Sequence, residues 1–309
     1  MMNIKSLKNI VNNKDNFLID GKYSFNDDYS QFSNIENDFI FKNYSQNDKN
    51  SWKDIIKKVI LRLIFNDTYV VHSKNKIFNG ICMIPTSTNN SLKISNDNTI
   101  MTYYFNSEDC KKMLSKKRLI SSIFATPETI KEKNNFYIEK RINYKDFDKE
   151  KIIEYILHSY SDNIKNSLPK YQEKKLEFFK RKVRCKEIIQ HGDLWNGNIL
   201  YDGQYYIIDY ELVDHKYFLY DFFFYIYSYY DFDENDKLLN NYFNGKYDEL
   251  LTDYFKKFGE VYSGDERINY FKIFLSYFYY DRFHDKSTKR KSNKKVELNN
   301  VITKYEGDK

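Results

Sequence analysis

The stretch that most constrains the fold of this chain runs from Glu187 to Glu211 and reads EIIQHGDLWNGNILYDGQYYIIDYE. Its apolar runs have the length of β-strands, and Asp202-Gly203 between two of them is a typical hairpin turn. Polar residues stand where the apolar runs end, namely His191, Asp193, Asn198 and Asp209. We therefore expect one β-ribbon to bring the last three of these side chains to one place.

The size and composition of the chain favour an ordered protein with a substantial core. Its 309 residues suffice for two modest domains or one two-lobed unit. Because 41% of the residues are hydrophobic and 30% are charged, the chain does not have the composition of a disordered segment. The net charge of +6 is compatible with an anionic ligand such as a nucleotide, but it does not imply nucleic-acid binding, and we expect none.

The cysteines and the apolar runs bear on the cellular location. Cys82, Cys110 and Cys185 form no CxxC pair, so the sequence predicts neither a disulfide framework nor a zinc site. The N-terminus lacks an apolar run of signal-peptide length, and the most apolar later run, 218–230, is interrupted by Asp221 and too short to span a bilayer. We expect a cytoplasmic protein without a membrane span, and the sequence leaves its oligomeric state open.

Three regions follow from the order of the patterns. Residues 1–66 read as an N-terminal extension with an amphipathic helix, since apolar side chains from Trp52 to Ile64 recur at helical spacing. Residues 67–142 contain short strand-like runs around a helix that starts at Ser107 and ends near Ile123, which predicts an antiparallel sheet. Residues 143–309 are mainly helical. Helices are expected over 152–160, 176–183, 218–230, 236–258 and 266–283. The predicted class is α+β, with two lobes, an antiparallel-sheet N-lobe and a mainly helical C-lobe.

The central stretch carries the residue types that phosphoryl transfer requires. That reaction needs a carboxylate at the acceptor hydroxyl and oxygen ligands for Mg²⁺. Asp193, on a tight loop after a strand, can orient a hydroxyl and accept its proton. Asn198 can supply a neutral carbonyl oxygen to the metal, and Asp209 an anionic one. An ordinary hairpin with polar turn residues is the alternative, but it does not explain why these residues stand at strand ends.

The motif H-G-D-x-x-x-x-N from His191 to Asn198, followed by Ile208-Asp209-Tyr210-Glu211, resembles the catalytic and metal motifs of the aminoglycoside phosphotransferase and choline kinase-like family. The resemblance implies a protein-kinase-like fold. It also implies Asp193 as the catalytic base, Asn198 and Asp209 as Mg²⁺ ligands, and His191 as a residue that holds the loop. Asp221 matches a further acidic position, which we expect to be structural.

Two residues of the stretch are candidate acceptor contacts. Glu211 matches the IDxE form of choline and ethanolamine kinases, and Trp195 belongs to an HGDLW spelling that is similar to fructosamine kinases. These sequence motifs indicate the type of reaction more specifically than they indicate the substrate. The acceptor therefore stays open between choline or ethanolamine, a sugar and an aminoglycoside-like compound.

The first half resembles the family less closely. The run from Thr86 to Lys93 is similar to the family's phosphate loop, with Thr88-Asn89 kept and both glycines replaced, and Phe136–Arg141 stands where the adenine-binding hinge is expected. The strand over 100–105, where the family has a nucleotide-binding Lys or Arg, contains no basic residue. The predicted nucleotide contacts are Thr88, Asn89, Lys93, Glu139 and Arg141. Lys93 stands in for the missing strand residue, and its alternative is an exposed strand lysine.

The sequence thus predicts an ATP- or GTP-dependent kinase that uses Mg²⁺ and a small hydroxyl-bearing substrate, over about residues 68–285. A second hypothesis is a nucleotide-binding scaffold whose catalysis is weakened, motivated by the missing strand lysine. Kinase activity on a protein lacks support, because the helix expected near Tyr220 follows too closely on Asp209 to leave an activation segment.

Overall fold

The computed structural model describes residues 4–26, 31–35, 61, 64–65, 68–73, 77–85, 90–283 and 288–306. The chain forms two compact units, residues 1–114 with 127–143 and residues 115–126 with 144–309. The helix predicted from Trp52 to Ile64 falls, apart from residues 61 and 64, outside the described residues, as do Thr88 and Asn89. The division into three regions at residues 66 and 142 stays a prediction.

An antiparallel sheet dominates the first unit. Within the described residues its strand order is β3-β1-β2-β4-β5-β6-β8-β7. The strands are β1 (Gly21–Phe25), β2 (Phe32–Asn34), β3 (Tyr69–Val71), β4 (Cys82–Pro85), β5 (Ser91–Ser95), β6 (Thr99–Tyr104), β7 (Thr129–Glu132) and β8 (Phe136–Lys140). Among the described residues, the helices α1 (Ile4–Phe17) and α2 (Ser107–Ser121) accompany it along the chain. Strands from the N-terminal region are therefore part of the same sheet as the predicted N-lobe strands.

The sheet forms because its strands alternate apolar side chains between two faces. On one face Leu92, Ile94 and Met101 pack in a cluster with Phe17 of α1. On the other face Tyr104 and Tyr137 pack with residues of α2, namely Cys110 and Leu114. Apolar burial on both faces fixes the register of β5, β6 and β8, because a slip by one residue would exchange the faces.

The second unit combines helices with two small sheets. Its helices are α3 (Lys149–Asp162), α4 (Tyr220–Asp233), α5 (Lys237–Phe243), α6 (Asp248–Lys257), α7 (Arg267–Phe283) and α8 (Thr288–Glu306). Its strands are β9 (Lys170–Lys175), β10 (Lys182–Gln190), β11 (Ile199–Tyr201), β12 (Tyr205–Ile207) and β13 (Asp214–Tyr217). All residues of α4 from 220 to 229 are buried. A helix that is apolar on every side lies in a core, and α4 has that character.

Two helix predictions were wrong in detail. The helix predicted over 176–183 is absent, because residues 176–181 connect two paired strands and β10 begins at Lys182, opposite Lys175 of β9. The residues of β9 alternate between partly buried and exposed, which is the period of a strand. The single helix predicted over 236–258 is divided into α5 and α6 at Gly245, which has a φ of +80°. This left-handed conformation is typical of a glycine that ends a helix.

The predicted single β-ribbon is also corrected. β10 pairs with β9 and β13, whereas β11 pairs with β12 in a separate two-stranded sheet. The predicted hairpin turn lies between β11 and β12, where Gly203 has a φ of +123°. The residues of the central stretch therefore come from two sheets, and the loop that joins them carries the H-G-D motif. In the part of the chain that the structure describes, no helix has the length and apolar character to cross a membrane.

Candidate active site

The H-G-D loop leaves the end of the central strand of its sheet. β10 lies between β9 and β13 and ends at Gln190. The chain then turns at Gly192, whose φ is +81°. A Cβ at this position would lie 2.5 Å from the carbonyl oxygen of Leu212 and 2.5 Å from Cε of Lys216. Glycine is therefore required both by the backbone conformation and by the space.

A buried carboxylate holds this loop in place. Asp221, at the start of α4, is fully buried and accepts hydrogen bonds from the backbone N–H groups of His191, at 2.7 Å, and Gly192, at 2.8 Å. The hydroxyl of Tyr160 donates to the same carboxylate. Burial raises the pKa of Asp221, while these donors favour its charged form. Asp221 thus has a positioning role, and it acts through backbone hydrogen bonds.

His191 and Asn198 connect the loop to the segment that precedes Asp209. The His191 ring is fully buried, and its Nε2 lies 3.0 Å from the carbonyl oxygen of Ile208. The backbone N–H of Ile208 donates to the carbonyl oxygen of Asn198 at 3.0 Å. Ile208 is therefore held from both sides, and the residue after it is Asp209.

Asn198 also contacts Asp193 directly. It lies in a short 3₁₀ turn, Asn196–Asn198, just before β11. Its Nδ2 donates to the carbonyl oxygen of Asp193 at 2.8 Å and to Oδ2 of the Asp193 carboxylate at 3.1 Å. Because the amide nitrogen faces Asp193, the amide oxygen is the Asn198 atom suited to a metal ion.

Asp209 has an unusual backbone conformation. Its φ is +67°, in the left-handed region that residues with a Cβ rarely adopt. Such a conformation costs about 1–2 kcal/mol in a residue other than glycine. Strain of this kind concentrates at functional sites. It supports a specific requirement for the Asp209 side chain at this position.

Arg282 is a residue of this site that the sequence did not reveal. It projects from α7, and its Nη2 donates to Oδ1 of Asp193 and, at 3.3 Å, to the carbonyl oxygen of Gly192. Its guanidinium lies 5.2 Å from the ring centre of Phe224. Burial opposes its charge, but the neighbouring Asp193 carboxylate raises the pKa of Arg282 overall. An arginine near the end of an apolar helix gave no signal of this contact.

The two candidate acceptor residues are placed differently from each other. The ring of Trp195 packs edge-on against Phe232, with 5.5 Å between the ring centres. The same ring occupies the space beside Gly197, where a Cβ would lie 2.5 Å from it. Trp195 therefore packs against the loop itself. The backbone carbonyl of Glu211 accepts a hydrogen bond from Lys116, a second basic residue that the sequence did not suggest.

The candidate nucleotide residues that the structure describes lie in the first unit. Lys93, in β5, is half-buried and stands opposite Thr102 of β6. The buried hydroxyl of Thr102 has no hydrogen-bond partner among the described residues. Glu139 stands opposite Ile100, and the Nη1 of Arg141 lies 3.4 Å from the carbonyl oxygen of Asn96.

The site offers few protein ligands for a metal ion, so a bound metal would also need water or phosphate oxygens as ligands. Within the described ranges, no three or more His, Cys, Asp or Glu side chains cluster so as to hold a metal ion. Asn198 and Asp209 offer one amide oxygen and one carboxylate. Mg²⁺ is typically bound by one or two such oxygens together with water and phosphate oxygens. The residues present fit that mode of binding.

Comparison with known families bears on the chemistry of the segment that contains this loop. The model of the phosphotransferase enzyme family matches residues 133–254. The predicted resemblance to aminoglycoside phosphotransferases and choline kinase-like proteins is thereby confirmed for this segment. No curated protein matches the chain.

The matched segment contains the H-G-D loop, Asn198, Asp209 and Asp221. It indicates a phosphotransferase with kinase-type activity. The antiparallel sheet of the first unit and the helical second unit are compatible with the protein-kinase-like fold of that family, so the predicted fold class is confirmed. The matched segment is shorter than the predicted range of 68–285.

Proposed function

We propose that this chain is a small-molecule kinase that transfers the γ-phosphate of ATP or GTP to a hydroxyl group of its substrate. The observation that carries the proposal is the contact of Asn198 with Asp193 on a loop whose backbone also holds Ile208, the residue before Asp209. The family match over the same segment supports it. The nucleotide is the co-substrate, and Mg²⁺ the metal.

In this proposal the polar residues of the loop have separate roles. Asp193 orients the acceptor hydroxyl and accepts its proton. Asn198 and Asp209 hold Mg²⁺, which neutralises phosphate charge. His191 positions the loop through the carbonyl of Ile208.

The nucleotide contacts are proposed from the first unit. They are Thr88, Asn89, Lys93, Glu139 and Arg141. Support for Lys93 comes from the strand register, because Lys93 and Thr102 are direct neighbours on one face of the sheet. A lysine at position 93 therefore projects beside the strand on which the family carries its basic residue.

We propose a small hydroxyl compound as the phosphate acceptor. We also propose that the enzyme is cytoplasmic. Glu211 and Trp195 are the acceptor contacts that the sequence suggests. A carboxylate and aromatic rings suit a quaternary ammonium group. If choline is the acceptor, Glu211→Ala raises the KM for choline strongly, and an unchanged KM argues against that substrate.

The test is transfer of radiolabelled γ-phosphate from ATP and from GTP to a pool of hydroxyl compounds in the presence of Mg²⁺. The wild-type protein is expected to label at least one compound, and Asp193→Ala is expected to lose the transfer. Equal labelling by wild-type and Asp193→Ala protein would contradict the proposed base.

The alternative is a nucleotide-binding scaffold with weakened catalysis. It is favoured by β6, which has Thr102 and no basic residue where the family carries one. Binding of the Mg²⁺–nucleotide complex without turnover of any compound in the pool would support this alternative.

A further inference from the structure

The guanidinium group of Arg282 contacts Asp193, the proposed base for the acceptor hydroxyl. The carboxylate of Asp193 accepts a hydrogen bond at Oδ2 from Nδ2 of Asn198 and at Oδ1 from Nη2 of Arg282. An acceptor hydroxyl therefore shares this carboxylate with both donors. A hydroxyl must come within about 2.6–3.2 Å of the carboxylate oxygen to transfer its proton. Any acceptor in that position lies beside Arg282.

The charges around Arg282 leave it dependent on Asp193. Lys216 of β13, whose side chain lies beside Gly192, is paired with Asp281 of α7. Among the described residues, Asp193 is the acidic partner of Arg282. The Arg282 side chain is half-buried, and its guanidinium binds the carboxylate that the acceptor hydroxyl must approach. A charge in this partly desolvated position interacts more strongly with a charged group of a bound acceptor than it would in water.

One buried donor of the Arg282 guanidinium lacks a well-aligned partner. The Nε of Arg282 has no partner in hydrogen-bond geometry among the described residues, and the hydroxyl of the fully buried Tyr220 lies close enough to the guanidinium to favour its charged form. Unsatisfied buried donors are rare in folded proteins and mark places where a ligand or water completes the bonding. A guanidinium has five N–H donors in a planar fork that matches carboxylate and phosphate oxygens.

We propose that Arg282 makes the acceptor site selective for hydroxyl compounds that carry an anionic group, a carboxylate or a phosphate. In this role Arg282 binds the anion of the acceptor while Asp193 binds its hydroxyl. Cationic amino alcohols are disfavoured, because their charge repels the guanidinium. This inference rests on the proposed kinase function and narrows its substrate class.

The test compares acceptors that differ mainly in charge. Transfer rates from Mg²⁺–nucleotide are measured for glycerol 3-phosphate, glycerate, glycerol and choline, with wild-type protein, Arg282→Lys and Arg282→Met. Arg290→Met, on α8, removes an exposed arginine outside the site and is the matched control. Far-ultraviolet circular dichroism and thermal melting establish that each variant is folded.

The proposal predicts that wild-type kcat/KM for the better of the two anionic acceptors exceeds that for glycerol by about tenfold to hundredfold, the range expected for a charged hydrogen bond. The phosphate and carboxylate arms show which anion the site takes. Arg282→Met reduces this ratio to near one and leaves the KM for the nucleotide unchanged, whereas Arg282→Lys keeps part of the ratio. Arg290→Met leaves the ratio as in wild-type protein.

Two results would overturn the proposal. One is a preference for choline or glycerol over both anionic compounds. The other is an equal loss of rate for all acceptors in Arg282→Met, which would mean that Arg282 acts only by holding Asp193. Transfer that depends on Asp193 but prefers cations contradicts this inference alone. Absence of any transfer that depends on Asp193 contradicts the proposed function.

A binding measurement separates these cases further. Glycerol 3-phosphate is titrated into protein saturated with Mg²⁺ and a non-hydrolysable nucleotide, and binding is followed by calorimetry. Wild-type protein is expected to bind it at least about tenfold more tightly than Arg282→Met does. Equal affinity of the two proteins for both glycerol 3-phosphate and glycerate would overturn the proposed anion contact.

Discussion

The H-G-D loop and the sheet of the first unit hold their candidate residues by different means. Polar contacts fix the loop, since Asp221 binds its backbone and Asn198 binds Asp193. Apolar clusters on both faces fix the sheet, and Lys93 projects from a strand within it. The loop therefore specifies the place of each polar atom. The sheet specifies only which positions are neighbours, and a basic residue at position 93 of β5 or at position 102 of β6 would project from the same face.

The largest expected effect is on the rate of phosphate transfer, when the proposed metal ligand Asp209 is removed. Asp209→Ala is expected to lower the rate of phosphate transfer by about 10²–10³-fold, because it removes a fixed charge that holds the metal at the transferred phosphate. The measurement is the rate at saturating nucleotide and raised Mg²⁺. A rate within a factor of three of wild type would show that Asp209 does not hold the metal as proposed.

The polar fixation of the loop can be tested by stability. Asp221→Ala leaves the backbone N–H groups of His191 and Gly192 buried without acceptors, and each such group costs about 1–3 kcal/mol. We expect a loss of roughly 3 kcal/mol in the free energy of unfolding by urea. Tyr160→Phe removes one donor to the same carboxylate and is expected to cost about 1 kcal/mol. Equal losses in both variants would refute the role assigned to the backbone bonds.

A smaller effect is expected in the sheet. Lys93→Met is expected to raise the KM for the nucleotide about tenfold, as for the loss of one charged hydrogen bond. Lys131→Met, an exposed lysine on β7, is the control and is expected to leave the KM unchanged. If both variants behave like wild type, Lys93 is an ordinary exposed strand lysine and does not contact phosphate.

The smallest effect concerns the strained backbone at Asp209. Asp209→Gly removes the cost of a left-handed conformation but adds the entropy of a more flexible unfolded chain. The free energy of unfolding is expected to stay the same or rise by up to about 1 kcal/mol, while phosphate transfer is lost. A clear loss of stability would show that the Asp209 side chain stabilises the fold in the absence of ligands.

Local patterns explain how much of the site could be predicted. Asp193 and Asn198 stand five residues apart, so the sequence predicted that they would lie in one place, but their direct hydrogen bonds were not predicted. The strand ends around them were equally readable from apolar runs. The fold class followed from the order of strands and helices.

The parts that could not be predicted depend on distant packing. Arg282 reaches Asp193 across 89 residues of sequence, and only the packing of α7 brings the two together. The helix predicted over 176–183 gave way to the connection between β9 and β10, because the pairing of these strands outweighed a weak local pattern. The left-handed φ of Asp209 has no signal in its residue type beyond the tolerance of Asp for that region.

In the proposed function the H-G-D loop supplies the base and one metal ligand, and the segment after β12 supplies the other ligand, Asp209. Metal binding tests this arrangement without knowledge of the acceptor. Mn²⁺ is titrated into protein saturated with a non-hydrolysable nucleotide, and water proton relaxation reports bound metal. The account predicts that Asp209→Ala and Asn198→Ala weaken Mn²⁺ binding by about tenfold or more, at least the effect of losing an outer-shell partner. Asp193→Ala is predicted to keep the affinity of the wild type. Unchanged affinity in Asp209→Ala, or a loss confined to Asp193→Ala, would contradict the account.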